Sequence, residues 1–285
     1  MFGTLYVFVL LCAAQFVVGE QIQKLYDPLT GPNCGKSLFL PEDKDRIVGG
    51  GYVKHGMYPW MVSLYEKQGS SPFKHVCGAT VLNDRWIVTA AHCIDYKTAP
   101  WRYEAYIGLH KLSETTHPIV RRLKISHIYV HEDHNKYTHT NDIALLKTAD
   151  PIDISSSDGY INGICLPKGN EDPEGQGVVT GWGHERSWGY NSDILKHVTI
   201  PLVNRAVCDR AYGGSIREMM ICAGSTNKDT CQNDSGGPLF QVNSDGIATL
   251  VGITSFGRGC GLEGYPGVYT KVSHFRDWMA TTMSS

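Results

Sequence analysis

Short runs rich in β-branched and aromatic residues recur along most of this 285-residue chain, and they constrain its fold more than any other feature. Turn residues separate ten such runs, at 60–65, 76–82, 86–90, 103–109, 143–147, 178–182, 195–203, 239–242, 250–256 and 268–272. This spacing is typical of antiparallel barrels and sandwiches. We therefore predict an all-β fold with one C-terminal helix from residue 273 onward, where Val272, Phe275, Trp278 and Met279 share a face.

The charge balance argues against several classes of function. Lys and Arg number 26 and Asp and Glu number 28, which gives a formal net charge of −2. This balance gives no support for a nucleic-acid-binding protein or a polybasic membrane-surface protein. We expect neither nucleic acid nor a membrane as a partner.

The N-terminus begins with an apolar segment. Residues 5–18 are almost all apolar, and Gly19 follows with Val17 two residues before it. The run is too short to span a bilayer comfortably, so a signal peptide over 1–19 is favoured over a buried helix or a membrane anchor. Residues 20–46 are polar and rich in turn residues, which is typical of a tether. The protein is therefore expected to be secreted and extracellular.

Cysteine usage agrees with secretion. Cys12 leaves with the signal peptide, and eight cysteines remain: Cys34, Cys77, Cys93, Cys165, Cys208, Cys222, Cys231 and Cys260. An even number in an oxidising compartment predicts disulfides, although eight cysteines allow about 105 pairings. None of them has the C-x-x-C spacing of a zinc or redox site.

Three motifs carry residue types suited to nucleophilic catalysis. His92 lies in Thr-Ala-Ala-His-Cys, Asp142 in Asn-Asp-Ile-Ala-Leu-Leu, and Ser235 in Asn-Asp-Ser-Gly-Gly-Pro. Each motif alone has a structural explanation, such as a turn. Together they supply a hydroxyl nucleophile, an imidazole base that takes its proton and a carboxylate that orients the imidazole. Asn233 breaks the G-x-S-x-G pattern and so excludes a lipase-type esterase.

On these motifs the sequence resembles the chymotrypsin and trypsin family of serine endopeptidases. Further matches are Arg46-Ile47-Val48-Gly49-Gly50, Gly181-Trp182-Gly183 and Pro266-Gly267-Val268-Tyr269. The resemblance implies two antiparallel six-stranded β-barrels, over about 47–159 and 160–272, with the active site between them. It assigns 20–46 to an activation propeptide and 47–285 to the protease domain. It also implies substrates that are proteins or peptides, and protein protease inhibitors as partners.

The resemblance also assigns the oxyanion hole to the backbone N–H groups of Asn233 and Ser235. The family usually has Gly at the position of Asn233, so we expect hydrolysis to persist with a reduced rate or altered inhibitor binding. Asn233 also begins an Asn-Asp-Ser glycosylation sequon, which we expect to be unused because a glycan there would block the cleft.

Cleavage after Arg or Lys is expected from Asp229, six residues before Ser235. In the family, a carboxylate at this position forms the base of the specificity pocket and attracts a cationic side chain. Ser255 matches the substrate-binding strand, and Gly257 and Gly267 match the small residues of the pocket wall. The competing interpretation of Asp229 is a solvated loop residue.

Activation is expected at the Arg46–Ile47 bond, by a protease that cuts after Arg. In the family the new amine of the residue matching Ile47 pairs with the carboxylate before the catalytic serine, here Asp234. Family pairing gives the disulfides Cys34–Cys165, Cys77–Cys93, Cys208–Cys222 and Cys231–Cys260. The first of these would keep 20–46 attached after cleavage.

Some features favour ordinary surface over function. His131, His134 and His139 lie close before Asp142 and could bind zinc, but a polar surface loop is favoured. Residues 121–124 could form a binding exosite, but a solvated strand face is favoured. We therefore expect no metal and no cofactor. The alternative function is a catalytically weak or inactive binding protein with the same fold.

Overall fold

The computed structural model describes residues 27, 29–40, 51–95, 99–170, 172–183, 191–225, 234–259 and 262–285. The strands are β1 (Gly51–Tyr52), β2 (Met61–Glu66), β3 (Lys74–Val81), β4 (Trp86–Thr89), β5 (Tyr103–Ile107), β6 (Arg121–Val130), β7 (Ala144–Thr148), β8 (Gln176–Gly181), β9 (Lys196–Val203), β10 (Met220–Ala223), β11 (Pro238–Val242), β12 (Ala248–Phe256) and β13 (Gly267–Lys271). The α-helices are α1 (Arg205–Ala211) and α2 (Arg276–Met283), and short 3-10 helices span Ala91–Cys93, Pro100–Arg102 and Val272–Phe275.

Strands β2 to β7 form the first barrel. They close in the antiparallel order β2-β3-β4-β7-β6-β5. Neighbouring side chains on a strand point to opposite faces, and β2 is buried on both. Val62 and Leu64 face the barrel interior, whereas Met61 and Tyr65 join the larger core that also includes residues of the second barrel.

Strands β8 to β13 form the second barrel. The order β9-β10-β13-β12-β11-β8 closes because β8 also pairs with β9 along six residues. Strand β1 pairs with the first two residues of β9, with Gly51 opposite His197. The prediction of two six-stranded antiparallel barrels is confirmed, although β1 precedes the first barrel in sequence and pairs with the second.

Large buried side chains join the two barrels. Trp60 and Phe240 are fully buried, and their rings meet edge to face with centroids 5.3 Å apart. The indole N–H of Trp182 donates to the carbonyl of His110 at 3.1 Å. Phe275 and Met279, at the C-terminal end of the chain, join the same core. Burial of these apolar surfaces stabilises one relative position of the barrels, and with it the cleft between them.

The tether also packs against the protein body. Leu29 is buried, and the ring of Phe39 lies 4.8 Å from the ring of Tyr160. A disulfide joins Cys34 to Cys165. The segment 29–40 is therefore held by apolar contacts as well as by a covalent bond.

The disulfides of the described residues are Cys34–Cys165, Cys77–Cys93 and Cys208–Cys222. These are three of the four pairs that the family resemblance implies. Cys231 and Cys260 lie outside the described residues, so their pairing remains a prediction.

The predicted strands and the observed strands agree to within a few residues, with instructive exceptions. The run-based prediction missed β1, β10 and α1, and it left most of β6 unassigned. Helix α1 begins where the Asn204 side chain accepts a hydrogen bond from the N–H of Ala206 at 2.9 Å, a typical N-cap. The C-terminal helix starts as a 3-10 turn before α2. Among the described helices, none has the length and apolarity needed to cross a membrane.

Candidate active site

His92 and Asp142 form the centre of the candidate site. His92 lies on the 3-10 turn after β4, and the disulfide of its neighbour Cys93 to Cys77 on β3 anchors that turn. Asp142 lies two residues before β7, which pairs with β4. Because β4 and β7 are neighbours, the start of β7 meets the end of β4, and Nδ1 of His92 lies 2.8 Å from Oδ2 of Asp142.

The Asp142 carboxylate is buried and accepts several hydrogen bonds. Its Oδ1 accepts the backbone N–H of His92 at 2.8 Å, and its Oδ2 also accepts the hydroxyl of Ser255 at 2.5 Å. Burial by itself raises the pKa of Asp142, but the hydrogen bonds from His92 and Ser255 outweigh it and lower the pKa below its usual value. The carboxylate therefore remains ionised near neutral pH and can fix the His92 ring with its Nδ1–H toward Asp142.

Ser235 lies on a tight turn before β11. The N–H of Gly237 donates to the carbonyl of Asp234 at 3.0 Å, and Gly236 has φ +76°. The carbonyl of Ser235 accepts the N–H of Gly78 on β3 at 2.8 Å. A turn from the second barrel is thus hydrogen bonded to a strand of the first.

His92 and Ser235 are brought together through their neighbours in sequence. A Cβ atom on Gly236 would lie 3.0 Å from Sγ of Cys93 and would collide with Oγ1 of Thr89. Only glycine allows this approach. Within the described residues no hydrogen bond joins the Ser235 hydroxyl to His92, and such bonds often tighten only when substrate binds.

Asp234 is the first residue of the same turn. Its Oδ1 accepts the N–H of Gly183 at 2.8 Å. A Cβ on Gly181 or on Gly183 would collide with the Asp234 carboxylate. The two glycines of the Gly-Trp-Gly motif therefore leave the space that this carboxylate occupies.

One wall of the cleft is built from β12 and β13. Ser255 is buried near the end of β12, and Gly257 follows that strand. A Cβ on Gly257 would lie 3.8 Å from Cα of Gly267, so the two glycines face each other. The predicted residues Asp229 and Asn233, and the predicted cleavage site Arg46–Ile47, lie outside the described residues.

Comparison with known protein families matches residues 47–279 to the family described as Trypsin. This chain belongs to the trypsin family of serine proteases. The match covers both barrels and includes His92, Asp142 and Ser235.

Individual relatives of this trypsin-family chain come from spiders and mammals. It is 44% identical over 245 residues to the venom peptide isomerase heavy chain of Agelenopsis aperta. The aligned region covers 83% of this chain and all of the relative. It is also 44% identical over 246 residues to U21-ctenitoxin-Pn1a of Phoneutria nigriventer, with 84% and 100% covered. Transmembrane protease serine 9 of Rattus norvegicus is 37% identical over 251 residues, covering 87% of this chain and 22% of the relative.

The structure adds residues to this trypsin-family site that the sequence motifs do not mark. Thr270 on β13 donates its hydroxyl to the carbonyl of Asp142 at 2.7 Å. Nε2 of His134 lies 3.7 Å from Oδ1 of Asp142, and the ring of His139 meets the ring of His92 edge to face at 6.1 Å. The sequence favours a polar surface loop for both histidines. Both are instead half-buried against the proposed catalytic pair, and only their spacing from Asp142 in the sequence pointed to this.

Proposed function

We propose that this trypsin-family chain is a secreted serine endopeptidase, made as a zymogen, which cleaves peptide bonds after Arg or Lys. The observation that carries the proposal is the bonding of Asp142 to His92, with Ser235 held on the adjacent turn. The residue types and their connections match the requirements of acyl transfer.

In the proposed reaction Ser235 attacks the substrate carbonyl carbon as its proton passes to Nε2 of His92. The positive charge that forms on His92 lies beside the buried, ionised Asp142. A tetrahedral intermediate then collapses, the C–N bond breaks, and His92 returns the proton to the leaving amine. Water repeats the sequence on the acyl-enzyme and regenerates the Ser235 hydroxyl.

The negative charge on the tetrahedral intermediate needs donors aimed at it. We assign these donors to the backbone N–H groups of Ser235 and Asn233, each worth about 3 kcal/mol of transition-state stabilisation. Asn233 stands where the family usually has glycine. Its side chain is expected to reduce the rate of hydrolysis relative to glycine.

Specificity is proposed to come from Asp229, whose carboxylate would pair with the cationic end of an Arg or Lys side chain. The facing glycines Gly257 and Gly267 support this assignment, because a long side chain needs an open slot to reach a carboxylate at its base. The test is a specificity measurement with Asp229→Ser.

Activation is proposed to follow cleavage of the Arg46–Ile47 bond. The new Ile47 amine would pair with Asp234, which begins the Ser235 turn, and the pairing would order that turn. Segment 29–40 is held by a disulfide and by a ring contact. Both support a cleaved product in which the N-terminal chain stays attached to the protease domain. A relative named as a heavy chain fits the same arrangement.

Secretion is proposed on the apolar N-terminal segment and the cysteine content. The relative named for a venom supports it.

The decisive experiment is to express the chain from residue 20, cleave it at Arg46 and assay a peptide library. We expect hydrolysis after Arg and Lys, no activity before cleavage and none in the cleaved Ser235→Ala variant. An intact, cleaved chain that binds peptides without hydrolysing them would favour the inactive binding protein.

A second candidate function is peptide isomerisation, because one relative with 44% identity carries that name. An isomerase leaves the peptide mass unchanged, and one isomerisation that can be detected directly is a change of configuration at a single residue. Incubation of library peptides with the cleaved chain, followed by mass analysis and chiral amino-acid analysis, separates the two functions. Fragments of lower mass support the protease, and intact peptides with a D-residue support the isomerase.

A further inference from the structure

Two imidazole nitrogens near Asp142 are buried and lack hydrogen-bond partners among the described residues. They are Nε2 of His134 and Nδ1 of His139. A buried polar atom without a partner carries an energetic cost and calls for an explanation, of which an ion is one. Both atoms belong to the loop that leads into β7.

These histidines lie beside further ligand atoms. One ligand atom from each of His92, His139 and Asp142 lies within 4.8 Å of the others. Nε2 of His134 adds a fourth group, 3.7 Å from Oδ1 of Asp142. His139 is held by its stack on Phe256, with ring centroids 4.8 Å apart.

The donor set is chemically selective. Imidazole nitrogens with one carboxylate oxygen suit zinc and related transition metals, whereas calcium and magnesium require oxygen ligands. The neutral imidazole is the form that binds a metal.

We propose that His92, His139 and Asp142, with His134 beside them, form an inhibitory binding site for a divalent transition metal such as Zn²⁺. Zinc–nitrogen bonds are about 2.0–2.1 Å long, so tetrahedral ligand atoms lie about 3.4 Å apart. Atoms that now lie within 4.8 Å of one another must therefore approach by up to about 1.4 Å. His139 lies on a largely exposed loop between Asn135 and Thr140, whose ends are bridged, so this approach requires a shift of the loop that carries the ring.

Metal binding at this position stops the proposed reaction. A metal held by both His92 and Asp142 binds Nδ1 of His92, which lies 2.8 Å from Oδ2 of Asp142, and replaces the hydrogen bond that orients the ring. The proton displaced from Nδ1 is then carried on Nε2, so His92 cannot accept the proton of Ser235. A reversible, zinc-dependent loss of hydrolysis follows. Inhibition rests on the proposed function, but binding of the metal does not.

Binding is tested first, without turnover. Zn²⁺ is titrated by calorimetry into the full chain carrying Ser235→Ala, before and after cleavage at Arg46. We expect zinc bound at this site with an affinity that His139→Gln weakens at least about tenfold, since even changes around a metal's ligands cost 10–100-fold. The matched control is His127→Gln, an exposed histidine of β6, which should bind zinc like the parent. Equal zinc affinity in His139→Gln and the parent would overturn the proposal.

Inhibition is tested second, with the cleaved chain that retains Ser235. We expect Zn²⁺ to inhibit hydrolysis of an Arg peptide, EDTA to restore it, and Ca²⁺ or Mg²⁺ at the same concentration to have no effect. The ratio of inhibited to uninhibited rate is compared within each variant, so a change in the basal rate of His139→Gln does not enter. Zinc inhibition of His139→Gln at the parent's concentration would contradict the site. If the cleaved chain hydrolyses nothing, the calorimetry still decides whether the metal binds.

Discussion

The hydroxyl of Ser255 donates a 2.5 Å hydrogen bond to Oδ2 of Asp142, across 113 residues of sequence. Ser255 lies on β12 of the second barrel, whereas Asp142 precedes β7 of the first. The same carboxylate oxygen accepts Nδ1–H of His92. The orientation of the proposed base therefore depends on how the two barrels pack together.

Replacement of Ser255 by alanine is expected to reduce kcat by about 10- to 100-fold. Asp142 keeps two donors, the backbone N–H and the Nδ1–H of His92, and one hydrogen bond to a charged group contributes about 1.5–3 kcal/mol. Asp142→Asn should cost about 10⁴-fold, the loss that this change causes in the Ser-His-Asp template. Steady-state kinetics on an Arg peptide distinguish them, and equal losses in both variants would refute the assigned roles.

Gly236→Ala is expected to abolish most activity by moving Ser235. The added methyl meets Thr89 and Cys93, and φ at this position is +76°. The matched control is Gly246→Ala, where φ is +78° and nothing lies within 4 Å of the added Cβ. Both variants share the backbone penalty of about 1–2 kcal/mol, so both should lose stability in thermal unfolding. Only Gly236→Ala should lose more activity than its loss of stability explains. Equal activities of the two variants would show that contact with the His92 turn is unimportant.

Asp229→Ser is expected to remove the preference for cationic side chains. A charge-assisted pair is lost from the substrate, while the triad and the facing Gly257 and Gly267 stay in place. The measured quantity is the ratio of kcat/KM for matched Arg and Phe peptides. We expect this ratio to fall by at least about 100-fold, equivalent to about 2.7 kcal/mol. An unchanged ratio would assign Asp229 to a solvated loop.

Much of this architecture is predictable from the sequence because buried strands have a strong local pattern. Strand β4 (Trp86–Thr89) is buried at every residue and lies within a predicted run. Strand β6 (Arg121–Val130) is not among the predicted runs because its outer residues are charged and its apolar residues are spread along ten positions. Short β10 (Met220–Ala223) gains its conformation from pairing with β13 rather than from its own four residues.

Some residues of the candidate site are likewise predictable from the sequence and others are not. Sequence motifs pointed to His92, Asp142 and Ser235, because their neighbours are constrained by tight turns and close backbone approach. His134 and His139 lack such constraints. Their place beside Asp142 comes from the path of the loop, including positive φ at His139 and Asn141, and no local pattern predicts that path.

The Cys34–Cys165 disulfide is expected to keep the activation segment on the cleaved enzyme. In a denaturing gel without reductant, the cleaved chain should run as one species, and the double variant Cys34→Ser/Cys165→Ser should release a peptide ending at Arg46. In the uncleaved chain the bridge closes a loop with a sequence separation of 131, so its loss should lower stability by up to about 5 kcal/mol. Release of the peptide from the parent without reductant would contradict the bridge.

Acidification is expected to destabilise the protein below about pH 6.5 through buried neutral histidines, of which His197 gives the clearest test. Its Nδ1 lies 2.6 Å from the hydroxyl of Tyr58, and burial lowers the pKa of His197 from 6.5. Burial also raises the pKa of Tyr58, so the tyrosine hydroxyl remains the donor. Between the lowered pKa and 6.5 the unfolded chain binds the proton and the folded chain does not, so stability present at pH 7 is lost as the pH falls.

His197→Asn isolates this contribution, because the Asn carbonyl can accept from Tyr58 but does not titrate. Thermal unfolding of the Ser235→Ala chain between pH 7 and pH 5 should show a smaller loss of stability with His197→Asn than without it. The difference amounts to about 1.4 kcal/mol for each unit by which the pKa of His197 is lowered. The control is His127→Asn, an exposed histidine of β6, whose pH dependence should match the parent. Identical slopes for His197→Asn and the parent would mean that other groups carry the acid sensitivity.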